Sequence, residues 1–333
     1  MEPQPAPDRR ELGALAPGAS APKRGYLGFA LRAAAGLAVV AFLLWRYDAR
    51  PVLRALRREP PGWFGAALAV YLLGQALSAW RWQLLAALVR VRGRYREFLR
   101  LYYLNMFINV FVPGVLYSQL GGDAARAIYL GRERGQLGEA AASVAADRGI
   151  GLFALFWFAA LMALLLRAEV PAAVVWPTVV VGVATFAAYL AGPWLARLVP
   201  RLPHRVERVA ALVVPYLDRP AALIPAAALS ILLQVLLSIE QWLLARGLGL
   251  GTPLAPFLLY VPIANVFASL PLTFSGLGIR ETVYLVLLSS AGIGHDDAIA
   301  LGLLWFAVTM VGGLTGVVAF LTSPLPEAGR QVA

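Results

Sequence analysis

The sequence contains no cysteine and only two histidines, His204 and His295. Without cysteine there is no disulfide, no thiolate metal site and no thiol nucleophile. With so few imidazoles, neither a histidine-based zinc site nor a Ser-His-Asp triad is expected. The run His295-Asp296-Asp297 is better explained as a turn between helices than as a metal cluster. We predict no catalytic residue, no metal and no cofactor.

Charge is also scarce, since 14% of the 333 residues are charged and 60% are hydrophobic. This composition is too apolar for an ordinary soluble domain and falls in the membrane class. The net charge of +11 comes almost wholly from arginine, with Lys23 as the single lysine. Because the arginines lie in short loops between apolar runs, they indicate membrane topology and lipid contact, and we predict no nucleic-acid partner.

Six apolar runs have about the ~20 residues that a helix needs to cross a bilayer. They cover residues 26–45, 63–82, 149–166, 174–195, 222–245 and 298–321. Two further segments, 98–131 and 253–293, are broken by glycine and proline. Broken backbone is tolerated in a membrane only where protein buries it or a wet cavity hydrates it. The sequence therefore predicts an all-α polytopic membrane protein with six full spans and two re-entrant hairpins.

The domain boundaries follow from these runs. Residues 1–25 are rich in proline, alanine and charge and are expected to form a disordered cytoplasmic tail. Residues 26–322 form one transmembrane domain, and 323–333 form a short tail. Arginine-rich loops at 90–96, 132–148 and 197–219 put both termini in the cytoplasm. The basic stretch 46–58 is the exception, which we interpret as an amphipathic helix on the outer face. Ser78-Ala-Trp-Arg-Trp82 is interpreted as a membrane-interface anchor.

An internal repeat relates the two halves, 26–167 and 174–322. A shift of 156 residues carries Asn109-Val110-Phe111 onto Asn265-Val266-Phe267, and Gly122 onto Gly278. The same shift superposes the two broken segments and aligns spans that run in opposite directions in the predicted topology. The halves are therefore predicted to be an inverted repeat. Paired broken segments in inverted halves point to the binding site of a transporter.

The second broken segment contains Ser275-Gly-Leu-Gly278-Ile-Arg280-Glu281. A helix that begins after Gly278 would direct free backbone N–H groups and its positive dipole end at an anion. Arg280 adds a planar donor fork that suits phosphate. A charge at the bilayer centre costs about 2.5–3.5 kcal/mol, so Arg280 and Glu281 need a partner, water or a ligand. Pairing with charges on neighbouring helices is an equally weighted alternative.

The first broken segment has comparable features. Gly121-Gly122-Asp123 opens a short helix, in which Asp123 and Arg126 form an i,i+3 pair. Stabilisation of the helix end by Asp123 is the alternative to substrate contact. Asp147-Arg148 favours an interhelical salt bridge. The candidate substrate-binding set is Ser275, Gly278, Arg280, Glu281, Gly121, Gly122, Asp123, Arg126, Asp147 and Arg148, together with Asn109 and Asn265, whose amides are expected mainly to satisfy broken backbone.

Four motifs follow one another along the chain: Ser78-Ala-Trp-Arg-Trp82, Pro113-Gly114 with Gly121-Gly122-Asp123-x-x-Arg126, Ser143-Val-x-x-Asp147-Arg148, and Ser275-Gly-Leu-Gly-Ile-Arg280-Glu281. In this order they resemble the flippase-like transmembrane domain family, which includes the membrane half of bacterial lysylphosphatidylglycerol synthases. The resemblance covers nearly the whole chain from about residue 26 to 321. It implies a bacterial inner-membrane protein that handles lipids, which the better-known members do by moving aminoacylated phosphatidylglycerol between leaflets. The spacing from Pro113-Gly114 to Gly121 is longer than the family pattern. No aminoacyltransferase domain follows the last predicted span, so we do not expect this chain alone to make lysylphosphatidylglycerol.

Three functions remain open at this point. The leading hypothesis is a flippase or transporter for an anionic or aminoacylated phospholipid, or for a polyprenyl-phosphate-linked lipid. The alternatives are a membrane subunit of a lipid-modifying enzyme and a scaffold for a glycosyltransferase or synthase. The expected partners are the membrane lipid and a separate aminoacyltransferase or glycosyltransferase, and an oligomer is compatible with the sequence.

Overall fold

The computed structural model describes residues 60–111, 120–132, 134–167, 172–197, 212–268, 279–289 and 292–322. Every regular element within these ranges is a helix. The elements are α1 Pro61–Leu88, α2 Tyr95–Phe111, α3 Leu120–Arg132, α4 Leu137–Leu165, α5 Ala172–Leu190, α6 Gly192–Ala196, α7 Val214–Leu217, the 3-10 turn η1 Pro220–Leu223, α8 Ile224–Gly247, α9 Ala255–Ala268, α10 Ile279–Ser289, α11 His295–Leu314 and α12 Val317–Thr322.

Four helical stretches in the described ranges are long and apolar enough to cross a membrane: Pro61–Leu88, Leu137–Leu165, Pro220–Gly247 and His295–Thr322. Two of them begin at a proline, whose fixed φ suits the first turn and whose missing N–H would have no partner there. The predicted span 174–195 is shorter, because α5 ends at Leu190 and a turn separates it from α6. The predicted span 26–45 lies outside the described residues.

Each broken segment contains two helices that pack against each other. In the first segment these are α2 and α3, and in the second they are α9 and α10. The connections 112–119 and 269–278, which include the predicted Pro113-Gly114 break, lie outside the described residues.

The series α1-α2-α3-α4 and η1/α8-α9-α10-α11 have the same order. Each element of the second series begins within a few residues of the position that the 156-residue shift predicts. In both series the first helix packs on the second, the second on the third, the third on the fourth, and the first on the fourth. The most extensive pairing joins α1 to its counterpart α8.

Two apolar core clusters show how α1 and α8 run. One cluster joins Ala67 near the start of α1 to Leu244 near the end of α8. The other joins Leu85 near the end of α1 to Ala226 near the start of α8. The counterpart helices α1 and α8 are therefore antiparallel.

The same clusters define the two ends of the helix assembly. At the arginine-rich end lie the α1–α2 loop, with Arg90, Arg92 and Arg94, and the α3–α4 loop, where the Arg134 guanidinium donates to the carbonyl of Arg92 at 3.1 Å. At the opposite end lie the α8–α9 loop and the start of α11. Within the described ranges, the charge asymmetry predicted along the sequence is thus an asymmetry between two ends of the helix assembly.

Candidate functional site

Five charged side chains from α1, α3 and α4 form what we call the ion network: Arg81, Asp123, Arg126, Asp147 and Arg148. Its central acceptor is Asp147 on α4, which is 1% exposed at its side chain. One carboxylate oxygen accepts from Arg81 Nε at 2.8 Å. The other accepts from both terminal nitrogens of Arg126, each at 3.0 Å. A single carboxylate therefore ties α1, α3 and α4 together.

Asp123 is the second carboxylate of the ion network. Its Oδ1 accepts from Arg126 Nε at 3.0 Å, which is the i,i+3 pair that the sequence predicts. Arg148 Nε donates to the other oxygen at 2.6 Å, and its Nη2 donates to Oδ1 at 3.2 Å. The expected interhelical salt bridges of Asp147-Arg148 are therefore present, with Arg148 bound to α3 and Asp147 to α1 and α3.

Arg126 is 0% exposed, and aromatic rings complete its surroundings. Its guanidinium carbon lies 4.7 Å from the centroid of Trp82 and 5.0 Å from that of Tyr102, within the range of cation–π attraction. The indole Nε1 of Trp82 donates to Ser143 Oγ at 3.0 Å, so the ring is held in place. A buried cation is tolerated only when paired and hydrogen-bonded, and Arg126 meets both conditions.

Arg81 and Trp82 were missed by the sequence prediction. The sequence predicts a membrane-interface position for their motif, which is wrong for both residues because they are buried; within the motif, Trp80, at 47%, is exposed as an interface residue would be. Arg81 Nη1 also donates to Ser230 Oγ on α8 at 3.0 Å. The ion network therefore reaches the second helix series. The sequence held one signal for the pairing of Arg81, because Asp147 requires a cation from another helix.

Asn109 joins α2 to α3. The backbone N–H of Gly122 donates to Asn109 Oδ1 at 2.9 Å, and Asn109 Nδ2 donates to Asn105 Oδ1 at 3.2 Å. This confirms that Asn109 satisfies backbone at the break. A Cβ at Gly122 would lie 2.6 Å from the Asn105 carbonyl oxygen and would also collide with the Asn105 side chain. The two helices therefore approach at a point where only glycine fits.

Arg148 lies at the edge of the ion network, with 40% of its side chain exposed. On either side of it along α4, Ala145 and Leu152 line an apolar cleft of about 440 Å³. The cleft lies between α4 and α5, and Tyr216 of α7 contributes to its wall. Burial raises the pKa of Tyr216, so its phenol stays neutral and donates to the Leu85 carbonyl at 3.1 Å. A charged group and an apolar cleft are thus adjacent on one helix.

The sequence profile of the lysylphosphatidylglycerol synthase TM region matches residues 29–316. This chain belongs to that family. The family and the four apolar helices make it a membrane-embedded, multi-pass protein, in keeping with lipid metabolism or transport. No curated protein and no solved structure matches the chain.

The structure describes the motifs of the first helix series more fully than those of the second. Those in the first series meet in the ion network and at the Gly122 contact, and Gly121 lies beside that contact on α3. Asn265 lies on α9, at the place that the shift from Asn109 predicts. Ser275 and Gly278 lie outside the described residues. Arg280 and Glu281 lie in the first turn of α10, and their side chains are also outside the described part.

Proposed function

We propose that this chain moves a lipid with an anionic group between the two leaflets of the membrane. The substrate would be an anionic or aminoacylated phospholipid, or a polyprenyl-phosphate-linked lipid. The observation that carries the proposal is the partly exposed side chain of Arg148, at the edge of the ion network and beside the apolar cleft. A phosphate on the guanidinium and an acyl or isoprenoid chain in the cleft would match the two parts of such a lipid.

Arg148 is suited to this role because Asp123 holds it through two hydrogen bonds, at 2.6 and 3.2 Å. A guanidinium is planar and binds phosphate through paired N–H groups, so an orientation fixed in advance reduces the entropy lost on binding. Its 40% exposure leaves part of the side chain accessible from outside the protein. Asp123 would thus position the group that contacts the lipid.

The arrangement of the helices supports transport. We propose that α2–α3 and α9–α10 are two re-entrant hairpins in a six-span inverted repeat, with both termini in the cytoplasm of a bacterial inner membrane. The antiparallel arrangement of α1 and its counterpart α8 is what an inverted repeat requires, and such repeats expose a central site alternately to each side. In the second hairpin, Arg280 in the first turn of α10 would bind the phosphate of the lipid. Glu281 would offset the positive charge of Arg280.

The proposal assigns no catalytic step to this chain. A separate aminoacyltransferase or glycosyltransferase would make the lipid that it moves. Scarce nucleophiles and the absence of cysteine from the sequence favour this division of labour.

The test compares two arginines in liposomes that contain fluorescent phosphatidylglycerol. Arg148→Gln should slow lipid movement about tenfold or more, because one charged hydrogen-bond contact to phosphate contributes ~1.5–3 kcal/mol. Arg134→Gln is the matched control, since Arg134 pairs with Glu97 at 2.7 Å on the partly exposed loop surface. Movement at the wild-type rate by a well-folded Arg148→Gln protein would contradict the assignment.

A further inference from the structure

One face of α8 carries a buried polar stripe, which consists of Ser230, Gln234, Ser238 and Gln241. The spacings of four, four and three residues place these side chains one above another on the helix. Gln241 is 0% exposed and Gln234 is 6% exposed, and both serines are fully buried. A stripe of this kind is unexpected in a helix apolar enough to span a membrane.

The serines and the glutamines of this stripe differ in their hydrogen bonds. Ser230 Oγ donates to the Ala226 carbonyl at 2.8 Å, and Ser238 Oγ donates to the Gln234 carbonyl at 2.9 Å. In contrast, Gln234 Oε1 and both polar atoms of the Gln241 amide have no partner within the described part of the chain. Buried amides are nearly always paired, so each of these two requires an explanation. Helix-to-helix pairing, the usual reason for glutamine in a membrane helix, leaves these atoms unexplained.

The location of the stripe suggests what the amides do. At one end, Ser230 accepts a hydrogen bond from Arg81 of the ion network at 3.0 Å. At the other end, Gln241 lies one to two turns before α8 ends at Gly247. The distance from Ser230 to Gln241 along the helix axis is ~16 Å. The stripe therefore leads from the ion network towards the opposite end of the helix assembly.

We propose that Gln234 and Gln241 form a path of hydrogen-bonding groups for the polar headgroup of the transported lipid. An amide both donates and accepts, so it suits a headgroup that carries hydroxyl or amine groups beside its phosphate. Because amides are neutral, they bind such a group without the strong trapping that a fixed charge would cause. This inference rests on the proposed lipid transport and adds the residues that contact the headgroup beyond Arg148.

The test replaces the amides by leucine, which has a similar size and no hydrogen-bonding group. Since Gln234 Oε1 and both polar atoms of the Gln241 amide lack partners, the double variant Gln234→Leu/Gln241→Leu should melt at or above the wild-type temperature. Its rate of moving fluorescent phosphatidylglycerol, in vesicles of phosphatidylglycerol and phosphatidylethanolamine, should fall roughly tenfold. The control is Gln83→Leu, because Gln83 Nε2 donates to the Gly93 carbonyl at 2.9 Å. That variant should melt at a lower temperature and move lipid normally per folded molecule.

A second readout separates this inference from the proposed function. Short-chain phosphatidylglycerol should raise the melting temperature of the purified wild-type protein and raise that of the double variant much less. If the wild type moves no lipid but shows this difference, the lipid site stands and the transport proposal fails. Wild-type transport by the double variant, equal thermal shifts in both proteins, or a large loss of stability in the double variant would each overturn the inference. If the double variant moves lipid at the wild-type rate, the inference about the amides fails, but the proposed lipid transport by the wild-type protein stands.

Discussion

At the scale of single residues, Asp147 has the largest structural role that the described side chains show. It is buried and accepts hydrogen bonds from two arginines on two different helices. Removing one partner of a buried ion pair is more harmful than never having the pair, because the other charge stays buried without compensation. Asp147 should therefore be required for folding before it is required for any function.

We expect Asp147→Asn to lower the free energy of unfolding by about 3–5 kcal/mol, since Arg81 would lose its carboxylate and Arg126 would lose one of its two. Expression level and melting temperature in detergent measure this loss. The matched control is Glu97→Gln, which breaks a pair on the partly exposed surface and should cost about 1 kcal/mol or less. Equal melting temperatures for the two variants would show that the ion network contributes little to stability.

At the scale of helices, the first broken segment depends on a close approach of α2 and α3. Gly122 donates its N–H to Asn109 and leaves no space for a side chain beside Asn105. This contact fixes the position of Asp123, the next residue, and Asp123 in turn holds Arg148. The backbone of the break is thereby linked to the group proposed to contact lipid.

Gly122→Ala should destabilise the protein by about 1–3 kcal/mol, because the added methyl group forces the two helices apart. The rate of lipid movement should fall as well, since Asp123 and Arg148 would be displaced. Gly65→Ala on α1 is the control: a Cβ there meets nothing within 4 Å, so the helix should be unaffected or gain up to about 1 kcal/mol. Melting curves of both variants provide the measurement, and an unaffected Gly122→Ala would refute the close-contact argument.

The helices of the described ranges could be predicted from sequence because their causes are local. Apolar length sets the long helices, and glycine and proline set the breaks. The partners inside the ion network were harder to predict, because pairing depends on which faces meet after packing. Arg81 shows the difference: its position beside two tryptophans is typical of a membrane interface, yet α1 turns it towards Asp147. The i,i+3 pair of Asp123 and Arg126 was predictable because one helix contains both residues.

The glutamines of α8 illustrate a second limit of sequence-based prediction. Their spacing could be recognised in the sequence, but burial depends on neighbours that are distant along the chain. The structure places the stripe inside the assembly, where its unpaired atoms become visible. A periodic polar pattern in an apolar helix therefore deserves a search for its partners.

At the scale of the whole molecule, the described part of the chain has one arginine-rich end and one end with few positive charges. Arginine is enriched in loops on the cytoplasmic side of membranes. The α3–α4 loop should therefore face the cytoplasm, and the α8–α9 loop should face the outside. This orientation puts the ion network nearer the cytoplasm and Gln241 nearer the outer face.

Single cysteines test this topology cleanly because the natural chain has none. Gln136→Cys should resist a membrane-impermeant thiol reagent in intact cells, and Gly251→Cys should react with it. Gln136 is preferable to its neighbour Gly135, whose φ of 63° is unfavourable for a side chain. Strong external labelling of Gln136→Cys would reverse the orientation and contradict the proposed cytoplasmic termini.

The central claim is that this chain carries lipid between leaflets, and a leaflet-exchange assay with the wild-type protein tests it most directly. Purified protein is reconstituted into vesicles with fluorescent phosphatidylglycerol, lysylphosphatidylglycerol or a polyprenyl phosphate, and an impermeant reductant removes the label from the outer leaflet. We predict that the label of at least one lipid is lost from both leaflets in vesicles with protein, and only from the outer leaflet in vesicles without it. Protection of the inner leaflet for all three lipids, in vesicles with folded protein, would contradict the account.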